Sequence, residues 1–321
     1  MTVLLAGCGD LGTEAGLRFA AAGHRVVGWR RSPEKLPAAI DGVAADLSSG
    51  GLPPLPADTT AVVVAVAADA PTEEAYRAAY VDGVANVLDA VLASRGSDRG
   101  PGDGANGVEG GIPVRVLFVS STAVYGDAGG GWVDESTTAA PGGFSGRILR
   151  EAEELLHSRL RGTGITPVVL RLGGIYGPGR TRLIDQVRGG TAVVPAGSRF
   201  TNRIHRDDAA AAIVRLCSMS DTPGPVYLGV DNEPAELGEV LRFLAAELGL
   251  PRPPSASGSG DSTARGSAGS SARGSAGGEP SRGGNKRCSN ALLRGTGFEF
   301  AYPSFREGYR AILAGAGVRH P

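Results

Sequence analysis

The chain has 321 residues, of which 41% are hydrophobic, and its formal net charge is -1 at pH 7. This length and composition support a large buried core, and the near-neutral charge argues against a nucleic-acid or membrane-surface partner. The three cysteines are too few and too scattered for a disulfide framework or a metal site, and neither a signal peptide nor a membrane-length apolar run is visible. We therefore expect a soluble, cytoplasmic protein with no metal.

The chain opens on a strand that runs directly into a glycine-rich turn, with residues 3–12 reading VLLAGCGDLG. In such a turn Gly7 permits the sharp bend off the strand, Gly9 lets the backbone approach a pyrophosphate, and Gly12 allows the next helix to pack on the strand. We expect that helix over residues 13–22, with its N-terminal N–H groups facing the phosphates. The alternative is an ordinary strand-turn-helix corner. We favour a dinucleotide site that comprises Gly7, Gly9, Asp10, Leu11 and Gly12.

The next strand, predicted over residues 24–29, ends in a pair of arginines that indicates the cofactor. NAD-specific folds usually place a carboxylate here, whereas Arg30 and Arg31 present planar guanidiniums that suit a 2'-phosphate. We predict NADP, with NAD possible and two solvated loop charges as the alternative. A third strand over residues 43–45 ends at Asp46 and Leu47, which we expect to flank the adenine; a solvated loop aspartate is the alternative here.

Further apolar segments predict the rest of a parallel sheet with helices on both faces. We expect a buried strand over residues 61–66, a helix over 72–94 and a fifth strand over 114–119. Two segments of low complexity cannot build a core: a flexible loop over 96–111 and a disordered insert over 253–284.

Several motifs in order along the chain resemble those of the extended short-chain dehydrogenase/reductases, the NAD-dependent epimerase/dehydratase family. The resemblance covers most of the chain apart from the two low-complexity segments, and it implies a Rossmann-type fold with a smaller substrate lobe. The order and spacing of the motifs are more specific than any one of them. They are the glycine-rich turn, residues 121–126 (STAVYG), 133–137 (VDEST), 171–180 (RLGGIYGPGR) and 202–209 (NRIHRDDA).

The resemblance implies a catalytic role for Ser121, which matches the family residue that polarises a substrate hydroxyl or carbonyl. The family's Tyr-x-x-x-Lys pair, counted back from the helix at 151–156, falls on Ser145 and Leu149. A hydroxyl and an alkyl chain cannot do the work of a phenol and an ammonium, so the usual acid/base pair is missing. Tyr125 matches a recurrent family tyrosine outside that pair, and we interpret it as structural.

The resemblance also places a substrate pocket after the sixth strand, predicted over residues 166–171. In the family the following loop passes the nicotinamide, which makes Tyr176 and Arg180 candidates for contact with the substrate. Arg180 suits a diphosphate or carboxylate, and a solvated arginine is the alternative. His205 matches a family position that fixes the loop, and we interpret it as a hydrogen-bonded structural residue.

These observations predict an α/β protein with a doubly wound parallel sheet and a smaller C-terminal substrate lobe. Residues 1–175 are expected to form mainly the NAD(P)-binding domain. Residues 176–252 and 285–321 are expected to form mainly the lobe, with part returning to the Rossmann core. The leading hypothesis is an NAD(P)-dependent oxidoreductase or epimerase/dehydratase-like enzyme that acts on a nucleotide sugar or another hydroxylated or carbonyl small molecule. The family resemblance also allows a homodimer. The rival is a noncatalytic NADP-binding sensor or regulator, a hypothesis motivated by the missing pair.

Overall fold

The computed structural model describes residues 1–96, 114–256 and 284–321, without the side chains of Arg95 and Gly96. Residues 97–111 of the loop predicted at 96–111, and residues 257–283 of the insert predicted at 253–284, therefore lie outside the described residues. The strands are β1 (Thr2–Ala6), β2 (Arg25–Arg30), β3 (Asp41–Ala44), β4 (Thr59–Val64), β5 (Arg115–Ser121), β6 (Trp132–Val133), β7 (Thr166–Leu172), β8 (Gly174–Tyr176), β9 (Phe200–Thr201), β10 (Arg203–His205), β11 (Val226–Gly229), β12 (Ala235–Glu236) and β13 (Arg287–Cys288).

Helices cover both faces of the sheet and build the lobe. They are α1 (Asp10–Ala21), α2 (Glu73–Tyr76), α3 (Gly83–Gly96), α4 (Phe144–Leu160), α5 (Arg182–Arg188), α6 (Arg206–Ser218), α7 (Leu237–Glu247), α8 (Ala291–Gly295) and α9 (Phe305–Leu313). No helix within the described ranges is long and apolar enough to cross a membrane.

Seven strands form the central sheet in the order β11-β7-β5-β4-β1-β2-β3, and every neighbouring pair is parallel. Side chains alternate across it: Leu4 and Ala6 of β1 join one hydrophobic cluster, and Val3 and Leu5 join the other. The chain leaves β1 toward β2 and β3, then returns to β4 on the opposite side of β1. This reversal opens a crevice at the carboxyl ends of β1 and β4, where doubly wound folds bind their ligands. The predicted fold class is confirmed.

A third hydrophobic cluster forms the core of a smaller lobe beside the carboxyl ends of the strands. It is built from α5, α7 and α9, with Ile184, Leu241 and Phe305 among its buried residues. Helix α6 and strand β11 lie between these lobe segments in sequence, yet α6 packs on α1 and β11 extends the central sheet. The lobe segments are therefore interrupted in sequence by parts of the central sheet and its helices.

The elements differ from the sequence-based expectations at their ends. Helix α1 begins at Asp10 rather than residue 13, because Gly9 already marks its N-cap and Gly12 continues the helix. The helix expected over 72–94 contains a π-helical stretch, Arg77–Asp82, between α2 and α3. Residues 254–256, which we assigned to the insert, form two main-chain hydrogen bonds with Val194. The Val194 N–H donates to the carbonyl oxygen of Pro254, and the Ala256 N–H donates to the carbonyl oxygen of Val194, both at 2.8 Å.

Candidate functional site

The turn between β1 and α1 forms the base of the candidate cofactor site. Gly7 has a φ of +97°, which L side chains rarely adopt, and a Cβ there would lie 2.6 Å from the carbonyl oxygen of Ala65. A Cβ on Gly12 would collide with the carbonyl oxygen of Gly7, so the helix packs directly on the turn. Gly9 has no heavy atom within 4 Å of its Cβ position, and no side chain of the described residues caps α1. The turn leaves room for a phosphate at the helix N-terminus.

The first turn of α1 carries Asp10 and Leu11. The Leu11 side chain packs into the core, whereas the Asp10 carboxylate accepts hydrogen bonds of 2.8 Å from both Arg180 Nε and Arg206 Nη1. The main-chain N–H of His320 donates to the same carboxylate at 3.1 Å. Burial raises the pKa of Asp10, but the hydrogen bonds and the two arginine charges outweigh it and hold the pKa below its ordinary value. The arginines thereby offset a negative charge that would otherwise repel a phosphate.

Residues 317–321, named here the covering segment, lie across this end of the crevice. They form hydrogen bonds with residues at the start of α1, at the end of β2 and in the loop after β8. A ligand that enters here must pass or displace them. The contacts are Arg206 Nη2 to Val318 O (2.8 Å), Arg319 Nη1 to Gly179 O (2.9 Å), His320 Nε2 to Glu14 Oε2 (2.8 Å) and Arg30 Nη1 to Pro321 O (3.2 Å).

The two arginines after β2 point to different partners. Arg31 forms a bidentate ion pair with Asp69 through two hydrogen bonds of 2.8 Å, and both side chains are largely exposed. Arg30 donates instead to the main-chain oxygen of Pro321. Arg31 thus forms a side-chain ion pair, whereas the described contact of Arg30 is to the main chain of the covering segment. The structure separates a pair that the sequence treats as equivalent.

The residues expected near the adenine follow β3. The Asp46 carboxylate accepts hydrogen bonds from the N–H and the hydroxyl of Ser48, at 3.1 and 2.7 Å, and these bonds lower its pKa. Leu47 is 9% exposed and belongs to the core, and its carbonyl oxygen accepts a bond from Asn86. Asp46 is exposed at the rim, while most of Leu47 is turned inward.

A cavity of about 870 Å³ lies at the carboxyl ends of β5 and β7, between the sheet and the lobe. We call it the reaction pocket. Ser121 ends β5 and is half-buried, and its Oγ accepts a hydrogen bond of 3.1 Å from the N–H of Ala123. Ser145 and Leu149 lie one turn apart on α4 and face the same cavity. The pocket therefore brings together Ser121, Ser145, Leu149, Tyr176 and Arg180, which the sequence analysis had singled out separately.

The reaction pocket is rich in cations that sequence reasoning missed, namely Arg182, Arg199, Arg203 and Lys286. Among the described residues that line it there is no carboxylate. The Arg203 guanidinium donates hydrogen bonds to the hydroxyl and to the carbonyl oxygen of Thr201. Arg182 and Arg199 form no ion pair within the described part of the chain. The pocket is thus suited to an anionic ligand.

Tyr176 forms part of the wall of the reaction pocket. It is 4% exposed, its ring lies 4.6 Å from that of Tyr309 and 5.4 Å from that of His205, and burial raises its pKa. His205 caps α6, where its Nδ1 accepts a hydrogen bond from the N–H of Asp207 at 3.2 Å. Burial lowers the pKa of His205 to about 4, which keeps the ring neutral and able to accept this bond. The geometry of His205 is that of a structural residue.

A buried polar network lies beneath the pocket and holds the end of β5. Arg171 of β7 donates two hydrogen bonds to Glu153 of α4, at 2.9 and 2.6 Å, and a third to the Tyr125 hydroxyl at 2.7 Å. Ser120 donates to Glu153 at 2.6 Å, and Tyr125 donates to the carbonyl oxygen of Asp134 at 2.8 Å. Burial raises the pKa of Tyr125 to about 12 despite the Arg171 charge. Tyr125 therefore serves as a structural link, and an acid/base role does not suit it.

The model of the NAD-dependent epimerase/dehydratase family matches residues 3–229, which run from β1 to the end of β11. The chain belongs to this family. Protein YeeZ of Escherichia coli (strain K12) is 33% identical over 227 residues, which amount to 67% of this chain and 72% of YeeZ. A solved structure from Methylobacillus flagellatus, assigned to the same family, is 32% identical, covers 98% of both chains and has a TM-score of 0.69.

More distant solved structures share the fold and contain bound ligands. MoeE5 in complex with UDP-glucuronic acid and NAD has a TM-score of 0.71 at 21% identity, with 96% of each chain covered. Human SDR39U1 (isoform 2) with NADPH has a TM-score of 0.69 at 18% identity, covering 98% of this chain and 99% of that one. Membership of the family supports a nicotinamide cofactor and an epimerase/dehydratase-like activity in general terms.

Proposed function

We propose that this protein is an NADP-dependent oxidoreductase or epimerase/dehydratase-like enzyme for an anionic, hydroxylated small molecule, with a nucleotide sugar as the leading substrate class. The observation that carries the proposal is the reaction pocket, which Ser121 lines at the end of β5 together with Arg182 and Arg199, two arginines that form no ion pair among the described residues. The complex of MoeE5 with UDP-glucuronic acid supports the substrate class, on a shared fold.

The residues of the crevice fit a nicotinamide dinucleotide. The open space at Gly9 and the uncapped N-terminus of α1 suit a pyrophosphate. Arg30 suits the 2'-phosphate of NADP better than Arg31 does, because Asp69 already neutralises Arg31. NADP when bound supplies hydride exchange at its nicotinamide ring.

The residues of the reaction pocket divide into those that hold charge and those that orient a reacting oxygen. Arg182 and Arg199 would hold a phosphate or carboxylate of the substrate. The Ser121 hydroxyl already accepts a hydrogen bond from the chain, which leaves its own O–H able to donate to a substrate carbonyl or hydroxyl oxygen. Closure between lobe and sheet would exclude water from that oxygen.

Parallel titrations with NADPH and NADH, followed by nicotinamide fluorescence, test the cofactor assignment. We expect a preference for NADPH that Arg30→Ala weakens by about tenfold, which corresponds to about 1.4 kcal/mol. Arg31→Ala is the matched control and should have a smaller effect. Equal affinities for both nucleotides would contradict the NADP assignment. A protein that binds neither nucleotide would contradict the proposed enzymatic function.

A substrate screen with bound NADP tests the reaction. UDP-glucuronic acid and UDP-glucose head the panel, with other hydroxylated or carbonyl compounds after them. Ser121→Ala should lower kcat by about a hundredfold, the usual scale for a positioned proton or hydrogen-bond donor. Ser145→Ala is the matched pocket control. Equal turnover by wild type and Ser121→Ala would remove Ser121 from the mechanism.

A noncatalytic NADP-binding regulator remains the second candidate, and one observation favours it. Helix α4 presents Ser145 and Leu149 to the pocket, so this helix offers neither a phenol nor an ammonium there. The regulator predicts tight NADPH binding, no hydride exchange across the whole panel and a partner whose affinity depends on NADPH. Turnover that requires the nicotinamide would exclude it.

A further inference from the structure

The chain uses arginine almost everywhere as its cation, with thirty arginines and two lysines. Lys35 is exposed on the surface, whereas Lys286 is 1% exposed and lines the reaction pocket. Lysine is rarely buried, because removing its ammonium from water is costly. One of the two lysines is therefore buried, where its ammonium is costly to desolvate, in a chain whose other cations are almost all arginines.

The main chain around Lys286 is clamped on both sides. Strand β13 pairs with β6, and the N–H of Arg287 donates to the carbonyl oxygen of Gly131 at 2.8 Å. The amide of Asn202 bridges two residues of the segment: its Nδ2 donates to the carbonyl oxygen of Lys286 at 3.1 Å, and its Oδ1 accepts from the N–H of Cys288 at 2.7 Å. These bonds fix where the lysine side chain starts.

The ammonium itself is aimed at the turn that follows β5. Lys286 Nζ donates to the carbonyl oxygen of Tyr125 at 3.2 Å, four residues beyond Ser121. Tyr125 is held in turn by the buried network of Arg171. Burial lowers the pKa of Lys286, while Cys288 and Asp127 act in the opposite direction. A compact charge is thus fixed at the turn that follows β5, on a residue that lines the same pocket as Ser121, Ser145 and Leu149.

We propose that Lys286 is a substrate-binding residue whose ammonium holds an oxygen of the bound small molecule at the floor of the reaction pocket, beside Ser121. An ammonium is a compact point donor, so it can hold a carbonyl, hydroxyl or carboxylate oxygen. A guanidinium is larger and planar and would present its N–H bonds differently. The inference rests on the proposed function.

Nuclear magnetic resonance of protein with isotope-labelled lysine tests the proposal, since only two side chains give signals. Lys35→Arg assigns the spectrum, and Lys35 serves as the internal control. UDP-glucuronic acid is added to protein saturated with NADP, and calorimetry measures its binding in parallel. We expect the Lys286 signal to move and the Lys35 signal to stay. Lys286→Met should weaken binding by at least about tenfold, with Lys286→Arg intermediate and with melting temperatures confirming that both variants fold.

Binding of UDP-glucuronic acid with an unmoved Lys286 signal and an unchanged affinity for Lys286→Met would overturn the role of Lys286 and leave the proposed function standing. Absence of binding would instead contradict the substrate class. A ligand-independent arm then decides about the lysine: Leu149→Glu should raise the Lys286 pKa by about one unit or more relative to Leu149→Gln, because opposite charges would share the pocket. Equal Lys286 pKa values in the two variants would overturn its placement in the pocket.

Discussion

Asp10 and Arg206 lie 196 residues apart in sequence and form a hydrogen-bonded ion pair of 2.8 Å at the N-terminus of α1. Both side chains are buried, with exposed fractions of 7% and 1%. Arg206 also donates to Asp207 and to the carbonyl oxygen of Val318. One guanidinium therefore ties together the first turn of α1, the start of α6 and the covering segment.

Removing that guanidinium should destabilise the protein. Arg206→Ala leaves the Asp10 carboxylate with Arg180 and the N–H of His320, and Arg180 as its one remaining described cation. We therefore expect the free energy of unfolding to fall by about 3 kcal/mol, the scale for breaking a buried pair. Urea denaturation measures the change. The control is Arg18→Ala, which removes a partly exposed pair with Glu14 one turn away and should cost less than about 0.5 kcal/mol. Equal losses for both variants would contradict the central position of Arg206.

The covering segment should slow the entry of a dinucleotide. Its residues contact Arg30, Asp10 and Gly179, all of which border the crevice, so a ligand that enters at this end must pass or displace them. Deletion of 317–321 should therefore raise the association rate constant for NADPH by roughly two- to tenfold, because binding that awaits a conformational change is slowed. Stopped-flow fluorescence measures the rate. Arg319→Ala removes one contact, so its association rate constant should lie between those of the deletion variant and the wild type. Identical rate constants for the deletion variant and the wild type would show that the covering segment does not slow NADPH entry.

The network beneath the reaction pocket should be intolerant of single changes. Glu153→Ala leaves the Arg171 guanidinium buried with only the Tyr125 hydroxyl, so we expect a loss of about 3–5 kcal/mol in the free energy of unfolding. The double variant Glu153→Leu/Arg171→Met removes both charges and should recover most of that loss. Glu154→Ala, one residue along α4 and largely exposed, is the control and should change stability by less than about 0.5 kcal/mol. No recovery in the double variant would mean that the charges themselves stabilise the fold.

The sequence predicted the features that depend on local pattern. Continuous apolar runs indicated the buried parallel strands, because strands covered on both faces need apolar side chains at every position. The sharp bend expected at Gly7 has a left-handed φ, and the close approach expected at Gly12 is a contact of α1 with the turn rather than with the strand. The spacing of Ser145 and Leu149 placed both on one face of α4, and they do face the same pocket.

The features that the sequence analysis missed depend on contacts between distant segments. The partners of Asp10 come from residues 180, 206 and 320, and no local pattern indicates which arginine will reach a given carboxylate. Glu153 looked like one acidic residue among several on a helix, yet it is the buried one. Lys286 carried a signal that was available and unused, namely the rarity of lysine in this chain.

The buried carboxyl group of Asp231 should contribute less to stability as the pH rises. Burial raises the pKa of Asp231 to about 8, against the attraction of Arg203, and its Oδ2 has no hydrogen-bond partner in the described ranges. An unfolded chain releases this proton near pH 4. Between pH values of about 4 and 8 the folded protein therefore holds a proton that the unfolded chain has lost, and the contribution of Asp231 to the free energy of unfolding declines across that window. Asp231→Asn stays neutral and should gain stability relative to wild type as the pH rises. Urea denaturation at several pH values measures the gap, with the exposed Asp221→Asn as control; a gap for Asp231→Asn that does not change with pH would show that Asp231 ionises normally in the fold.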